Sequence, residues 1–338
     1  MHLQNYQDKQ VDDPVLRSQW YVVALSDELK ERPLKITLLG EDVVLWRTQD
    51  GKAHAFKDLC IHRGSALSLG RVVDDCLVCP YHGWRYDKTG QCIKIPAQPE
   101  HLGIPTKAKA EGYSCQERYG FIWLCLADAP NASLPYFDEA EREGFHTIIC
   151  GPYSIFAEAP RVVENFLDVS HLMWVHEGLL GMPSHAEIPE YQVHEKGDKL
   201  ESDVIRIFQP DPDGRGQVVD NDYIYSVLNP LSAHFYKTDS FSGEKPNIFA
   251  MALYTTPVAR RETKAYILLA RNYAFEAEDR LFQEFQDKVF KQDESIVASQ
   301  RPEALPLDLR EELHLTSDRM AIAYRKYLRR LGLSFGVA

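Results

Sequence analysis

Short apolar runs broken by glycine-bearing turns fill the chain from about residue 15 to 130, and this pattern predicts strands. Residues 20–24 and 43–46 are β-rich, Gly40, Gly51, Gly70 and Gly90 punctuate the stretch, and 121–124 closes it. After a linker-like segment with Pro130 and Pro135 the pattern changes. Residues 160–178 predict a helix, and 201–273 predict repeated strands at 204–208, 223–228, 233–236, 248–254 and 265–270. Turn chemistry at 211–216 and 242–247 separates them. From 276 to 299, Leu281, Phe282, Phe285, Val289 and Ile296 recur at helical spacing and predict a long amphipathic helix. A last helix is expected over 317–331. The reading is α+β: an all-β domain over 1–130, then an antiparallel sheet with a long helix over 131–338.

Composition narrows the function classes. The 338 residues are 44% hydrophobic and 26% charged, as in ordinary globular proteins. A net charge of −12 with no basic stripe beyond the tail around Arg325, Lys326, Arg329 and Arg330 argues against nucleic acid as a partner. There is no apolar run of membrane-spanning length, and the opening decapeptide is too polar for a signal peptide. Seven cysteines without a scaffold-like spacing make the cytoplasm the expected home.

Two of those cysteines carry the decisive chemistry. Cys60-x-His62 is followed, after sixteen residues, by Cys79-x-x-His82. Four such ligands could hold zinc, but a zinc finger usually groups its cysteines and then its histidines, whereas here each loop supplies one of each. A Rieske [2Fe–2S] centre needs two cysteines on one iron and two histidines on the other, which mixed loops provide. Neutral imidazoles leave the cluster less negative and raise its potential. Gly64 and Gly83 follow the ligands, where a side chain is expected to obstruct backbone N–H groups approaching the sulfurs.

A second metal site is suggested by His171 and His176, five apart, with the acidic Asp168 three residues before them. Non-haem iron sites in oxygenases use two histidines and one carboxylate on one face, leaving positions open for O₂ and substrate. On a regular helix, at about 100° per residue, His171 and His176 would sit about 140° apart and converge poorly. The helix is therefore expected to break or distort between them, with Gly178 and Gly181 fitting such an ending. Asp293, inside the long predicted helix, is the candidate carboxylate and Glu294 its competitor. On periodicity alone, a solvated face stays a serious alternative for both.

Taken together, CIHRG, CPYHGWRYDKTGQC and N-x-x-D-x-x-H-x-x-x-x-H resemble the α subunits of Rieske non-haem iron oxygenases nearly end to end. The length resembles the small α-only members, such as vanillate O-demethylase, dicamba demethylase and toluenesulfonate methyl-monooxygenase. The nearest likeness, on 115–120, 299–307 and 317–325, is to the saxitoxin-pathway Rieske hydroxylases, although 223–237 and 254–275 depart from them. The resemblance implies a helix-grip catalytic domain, a Rieske cluster on Cys60, His62, Cys79 and His82, and a mononuclear Fe(II) on His171, His176 and Asp293. It also implies Asn165 beside that iron and Asp168 as an electron bridge between protomers of a head-to-tail homotrimer. Electrons would come from a separate NAD(P)H-dependent flavin/iron–sulfur reductase or a ferredoxin. The reaction implied is O₂-dependent hydroxylation or oxidative demethylation of a small aromatic or alkaloid-like substrate. No nicotinamide fingerprint competes, because Gly214-Arg-Gly216 sits in a polar turn.

Rival readings are a Rieske electron carrier with a ligand-binding module and no oxygenase activity, and a scaffold subunit that only supports assembly. For the substrate pocket the candidates are Met173, Trp174, Phe235, Tyr254 and Tyr273, with core packing as the alternative role of each. His234, Asp239 and Arg271 are candidates for selecting a polar substrate or for satisfying strand ends.

Overall fold

A computed structural model describes residues 11–128, 130, 133–239 and 246–338. The opening decapeptide and most of the turn expected at 242–247 lie outside the described residues, as does part of the linker around Pro130. Contacts divide the chain into two units, Met1–Ser133 and Leu134–Ala338, against a boundary expected after residue 130.

In the first unit, β-branched and aromatic runs form strands whose inward side chains make a core. β1 (Tyr21–Leu25), β2 (Leu34–Leu38), β3 (Glu41–Arg47) and β4 (Ala53–Lys57) come first, and β5 (Arg71–Val73), β6 (Cys76–Val78), β7 (Arg85–Tyr86) and β8 (Cys92–Lys94) follow. β9 (Gly112–Arg118) and β10 (Phe121–Cys125) complete the unit. Six of them form an antiparallel sheet in the order β1–β10–β9–β4–β3–β2, and β5–β6–β7–β8 make a small second sheet. Val44, Trp46 and Phe56 from the larger sheet and Leu77 and Tyr86 from the smaller share one core with Cys60 and Cys79. The loops that carry Cys60 and Cys79 are thereby anchored at those cysteines.

The second unit is built on an eight-stranded antiparallel sheet: β11 (His146–Ile155), β12 (Val193–Lys196), β13 (Lys199–Ser202), β14 (Ile205–Gln209), β15 (Val219–Asn229), β16 (Ser232–Asp239), β17 (Ile248–Ala259) and β18 (Glu262–Arg271). On β15 the alternate residues Asn221, Tyr223, Tyr225 and Val227 are buried. Across from Tyr223 and Tyr225 stand Lys237 and Phe235 of β16, and across from those Phe249 and Met251 of β17. Because side chains alternate across a strand, this set faces one side of the sheet. The long helix Asp279–Ser299 shares that side, presenting Phe285, Gln286, Val289 and Asp293 to the same cavity. Sheet and helix give the expected α+β catalytic fold. A second helix, Arg319–Leu331, ends in Gly332 in the left-handed conformation that suits a helix terminus. Among the described residues, no helix is long and apolar enough to cross a membrane.

One element is shorter than its sequence pattern predicted. The helix expected over 160–178 is Ala159–Leu167, ended by Asp168 in an extended conformation. The Asp168 carboxylate accepts from the Ser170 N–H at 2.8 Å and its hydroxyl at 2.7 Å. Such a local bond competes with helix continuation. A 3₁₀ turn, Ser170–Met173, follows, and His176 lies in the turns beyond it. The helix thus ends before His171 and not between the two histidines as expected, and no regular helix runs through both.

Candidate metal centres

The two ligand loops of the first unit are built alike. In each, the cysteine carbonyl accepts from the glycine four residues on: Gly64 N–H to Cys60 at 2.9 Å and Gly83 N–H to Cys79 at 3.1 Å. In each, the cysteine N–H donates to the carbonyl five residues on, that of Ser65 at 2.8 Å or Trp84 at 2.9 Å. Both glycines are left-handed, with φ of 69° and 70°. That backbone need, and not obstruction at the sulfurs, explains them. A Cβ on Gly64 would meet only Leu59 at 3.7 Å, and one on Gly83 would meet the Pro96 ring at 3.3 Å.

Like ligands end up with like. The Cys60 thiol lies beside that of Cys79, while the His62 and His82 rings stand 4.6 Å apart. The cysteines are buried and the imidazole side is open to solvent. Trp84 stacks on His62 at 4.6 Å and 7°. His62 Nδ1 is a buried atom with no hydrogen-bond partner, and desolvation, then His82 and Arg63, hold this imidazole below its ordinary pKa and so neutral. A neutral ring with an orphaned nitrogen fits a metal ligand. Among the described residues, the one group of three His, Cys, Asp or Glu donors within 4.8 Å of one another lies elsewhere. Thiol beside thiol and imidazole beside imidazole is the paired arrangement that fits a two-iron cluster.

Sequence reasoning missed Tyr86. Its hydroxyl lies 3.1 Å from Cys60 Sγ, and burial, then that thiol, pushes its pKa up, so it stays protonated and can donate. A hydrogen bond to a cluster sulfur stabilises the reduced, more negative state. Tyr86→Phe is expected to leave cluster content intact and lower the midpoint potential by roughly 40 mV, the equivalent of about 1 kcal/mol for one electron. Redox titration followed by visible or EPR spectroscopy checks this.

The group within 4.8 Å is His171, His176 and Asp293. Asp293 Oδ1 lies 3.5 Å from His171 Nε2 and 3.2 Å from His176 Nε2. The His176 side chain is only 1% exposed, and its Nδ1 meets Gln292 Oε1 at 2.8 Å. With the proton on Nδ1 donated to Gln292, the Nε2 lone pair faces the same point as the carboxylate. Asn165 Nδ2 donates to Asp293 Oδ1 at 3.4 Å. Asp168 Oδ2 stands 3.6 Å from His171 Nδ1, an ion-pair distance longer than a hydrogen bond. Burial alone would lower the His171 pKa, but Asp168 and then Asp293 raise it on balance. Glu294 pairs with Lys291 instead. Two imidazoles and one carboxylate converging with other directions open are the donor set that non-haem iron takes.

Glycine also shapes this loop. A Cβ on Gly181 would come within 2.9 Å of the Met173 N and Cα atoms, so the chain folds back directly onto the His171 turn. Gly181→Ala is expected to cost about 1–3 kcal/mol in chemical denaturation, as overpacking does. It should also lower the bound mononuclear iron, read by metal analysis.

Beside the three donors lies a cavity with about 790 Å³ of atom-free space including its mouth. Phe166, Phe235, Phe249, Met251, Leu253 and Val289 give it apolar walls. Of the substrate-pocket candidates named from sequence, Phe235 lines it and the others do not. Met173 is buried behind the ligand turn, against Gly181. Trp174 is 65% exposed. His234 and Tyr254 are even-numbered neighbours of the cavity-facing odd positions on β16 and β17, so the period of two turns them to the other face. There His234 Nε2 lies 3.4 Å from Glu139, with Phe137 beside its ring. Asp239, which accepts from Asn247 at 2.7 Å, and Tyr273, which donates to Asp213 at 2.7 Å, border an adjoining cavity. Arg271 satisfies the strand end, donating to the Tyr273 and Ala274 carbonyls.

Comparison with known proteins decides the family. Residues 19–110 match the Rieske [2Fe–2S] domain and residues 155–333 the vanillate O-demethylase oxygenase C-terminal domain. The chain is 33% identical over 325 residues to methylxanthine N1-demethylase of Pseudomonas putida, covering 94% of this chain and 89% of that protein. The chain belongs to the Rieske non-haem iron oxygenases. Methylxanthine N3-demethylase of the same organism is 30% identical, with 96% of this chain and 91% of that one covered. The structure of the Pseudomonas putida CBB5 protein NdmA with caffeine superposes with a TM-score of 0.81 at 31% identity, covering 93% and 90% of the two chains. Dicamba monooxygenase bound to dicamba, at 24% identity, shares the fold, with a TM-score of 0.78 over 94% and 97%. This oxygenase is thus an oxidoreductase that uses O₂, with a Rieske cluster and a mononuclear iron as cofactors. The electron-carrier and scaffold readings fall away.

Proposed function

We propose that this oxygenase removes a methyl group oxidatively from a small aromatic or heteroaromatic substrate, with Cys60, His62, Cys79 and His82 holding the cluster and His171, His176 and Asp293 holding the iron. The observation that carries the reading is an apolar cavity opening directly onto two imidazoles and a carboxylate. Methylxanthine demethylases among the relatives, and the vanillate O-demethylase domain match, favour demethylation over plain ring hydroxylation. When bound, the cluster supplies single electrons at high potential and the ferrous ion supplies O₂ activation.

The remaining work falls to side chains. The aromatic walls exclude water and orient a flat substrate with its methyl group toward the donor set. Gln292 fixes the tautomer of His176, and Asn165 steadies Asp293. Asp168 gives one carboxylate oxygen to Ser170 and leaves the other toward His171, a placement suited to linking that ligand to a redox partner. A homotrimer belongs to the same proposal. Ile61 and Tyr81 beside the cluster loops, and Leu313 and Leu315 in the second unit, are exposed apolar side chains of the kind that interfaces cover. The electrons are assigned to a separate NAD(P)H-dependent reductase or ferredoxin. In support, residues 211–216 form the loop of the β14–β15 hairpin, with Asp211 accepting from the Gly214 and Gly216 N–H groups, so this Gly-x-Gly serves a turn. A cytoplasmic location completes the proposal and accords with seven free cysteines.

The test is product analysis with a surrogate reductase over methoxybenzoates, methylxanthines and guanidinium alkaloids. Formaldehyde matching substrate consumed, with the demethylated product, is expected. A hydroxylated product with no formaldehyde from any of them would overturn demethylation.

A further inference from the structure

The cavity wall carries one cation that the reading above leaves without a task. Lys237 lies on the cavity face of β16 and is 4% exposed. Its ammonium donates to the Pro212 carbonyl at 2.7 Å. It reaches Gln209 Oε1 only at 3.4 Å, where Asn221 and Tyr223 already donate at 2.8 and 2.9 Å. The rings of Phe249 and Tyr223 lie 4.8 and 5.4 Å from Nζ. Among the described residues, no carboxylate stands within ion-pair distance of it. Asp213 is engaged by Arg215 at 2.8 Å and Tyr273 at 2.7 Å. Two acceptors for three ammonium protons leave a donor unused. A buried, unpaired cation is costly, and a methionine would fill the same space without that cost.

We propose that Lys237 determines specificity by donating a hydrogen bond to an oxygen acceptor conjugated with the substrate ring. The substrate class is then an acceptor-bearing arene or heteroarene, and a bare methoxyarene is excluded. This rests on the demethylase reading and deepens it. Both an aryl carboxylate and a ring carbonyl have the required chemistry. They differ in pH response, because burial pushes Lys237 down to about 7, against Asp213 and Asp211 and with the help of Arg215. The other titratable groups around it are Tyr223 on the facing strand, Asp239 two residues on along its own strand, and Tyr273 across the adjoining cavity. Binding a carboxylate favours the ammonium, so it takes up a proton, and its affinity falls about tenfold per pH unit above 7. A carbonyl ligand should show a shallower fall.

The experiment is anaerobic calorimetry on the iron-replete holoenzyme with 4-methoxybenzoate, caffeine and methoxybenzene, comparing the wild-type protein with Lys237→Met. At least one acceptor-bearing probe should bind the wild type and bind the variant about tenfold more weakly or worse, with methoxybenzene unaffected. Equal affinities in the two proteins overturn the proposal, as does failure of both acceptor-bearing probes to bind. Lys237→Met should melt no lower than wild type. Should it misfold, Lys237→Gln, which keeps donors but no charge, is measured in its place; it should weaken the carboxylate and retain the xanthine, and an unchanged carboxylate affinity overturns the charged contact. Formaldehyde is scored separately. Lys237-dependent binding without formaldehyde upholds the contact and sinks demethylation, whereas formaldehyde with Lys237-independent binding does the reverse.

Discussion

His176→Ala is expected to yield a brown protein that keeps two irons and two labile sulfides per chain, loses the third iron, and turns over about a thousandfold more slowly. The side chain is almost wholly enclosed, with one nitrogen on Gln292 and the other 3.2 Å from Asp293, so truncation to alanine removes one of the three converging donors. Losing a ligand of a Lewis-acidic ion at the reacting centre forfeits roughly 4 kcal/mol of transition-state stabilisation, which is that thousandfold. The cluster belongs to the other unit of the chain and its loops close on their own glycines, so its visible spectrum should be unchanged. Gln292→Ala is the graded companion: the ligand set is complete but His176 loses its orienting partner, and iron affinity or activity should drop roughly 10–100-fold. Iron and sulfide analysis beside turnover separates these outcomes. Three irons retained in His176→Ala would remove His176 from the ligand set.

How much of this was legible in the chain depends on what each residue type had to do. Cysteine and histidine in mixed loops admit few chemistries, so the cluster could be read from spacing alone. Asp293 could have been told from Glu294 more firmly. It continues the stripe Phe282, Phe285, Gln286 and Val289 that the structure turns inward, whereas Glu294 stands about 100° away around the helix and meets Lys291. The helix end at Leu167 was hidden because Asp168 and Ser170 divert the backbone through a side-chain bond that hydrophobic periodicity does not register. The pocket residues were misjudged for a different reason. β16 and β17 carry apolar side chains on both faces, so His234 and Phe235 are equally plausible in sequence until the register assigns the cavity face to odd positions. Gln292, Tyr86 and Lys237 were missed because each is defined by a partner distant in sequence. Lys237 had one available signal, a lysine in step with Ala233 and Phe235 on alternate positions of the strand.

Asp168→Asn is expected to keep all three irons and both sulfides while cutting reductase-driven turnover at least roughly 10–100-fold, the range seen when the partner of a metal ligand is lost. Asparagine preserves the carbonyl oxygen that accepts from the Ser170 N–H and hydroxyl, so the turn carrying His171 should hold its shape. What changes is the atom 3.6 Å from His171 Nδ1, where a neutral amide replaces an anion. The wild-type carboxylate is well suited to that place: burial would raise its pKa, but His171 and then Ser170 hold it below the ordinary range and so ionised. A purely structural effect would depress every reaction of the iron site, including product formation driven by hydrogen peroxide, which brings both oxygen and electrons and so needs no delivery from the cluster. An effect on electron delivery would leave the peroxide-driven yield near wild type and slow only the substrate-triggered oxidation of the pre-reduced cluster, followed by stopped-flow absorbance. If that oxidation keeps its wild-type rate in Asp168→Asn, electrons reach the iron by a route that does not involve Asp168.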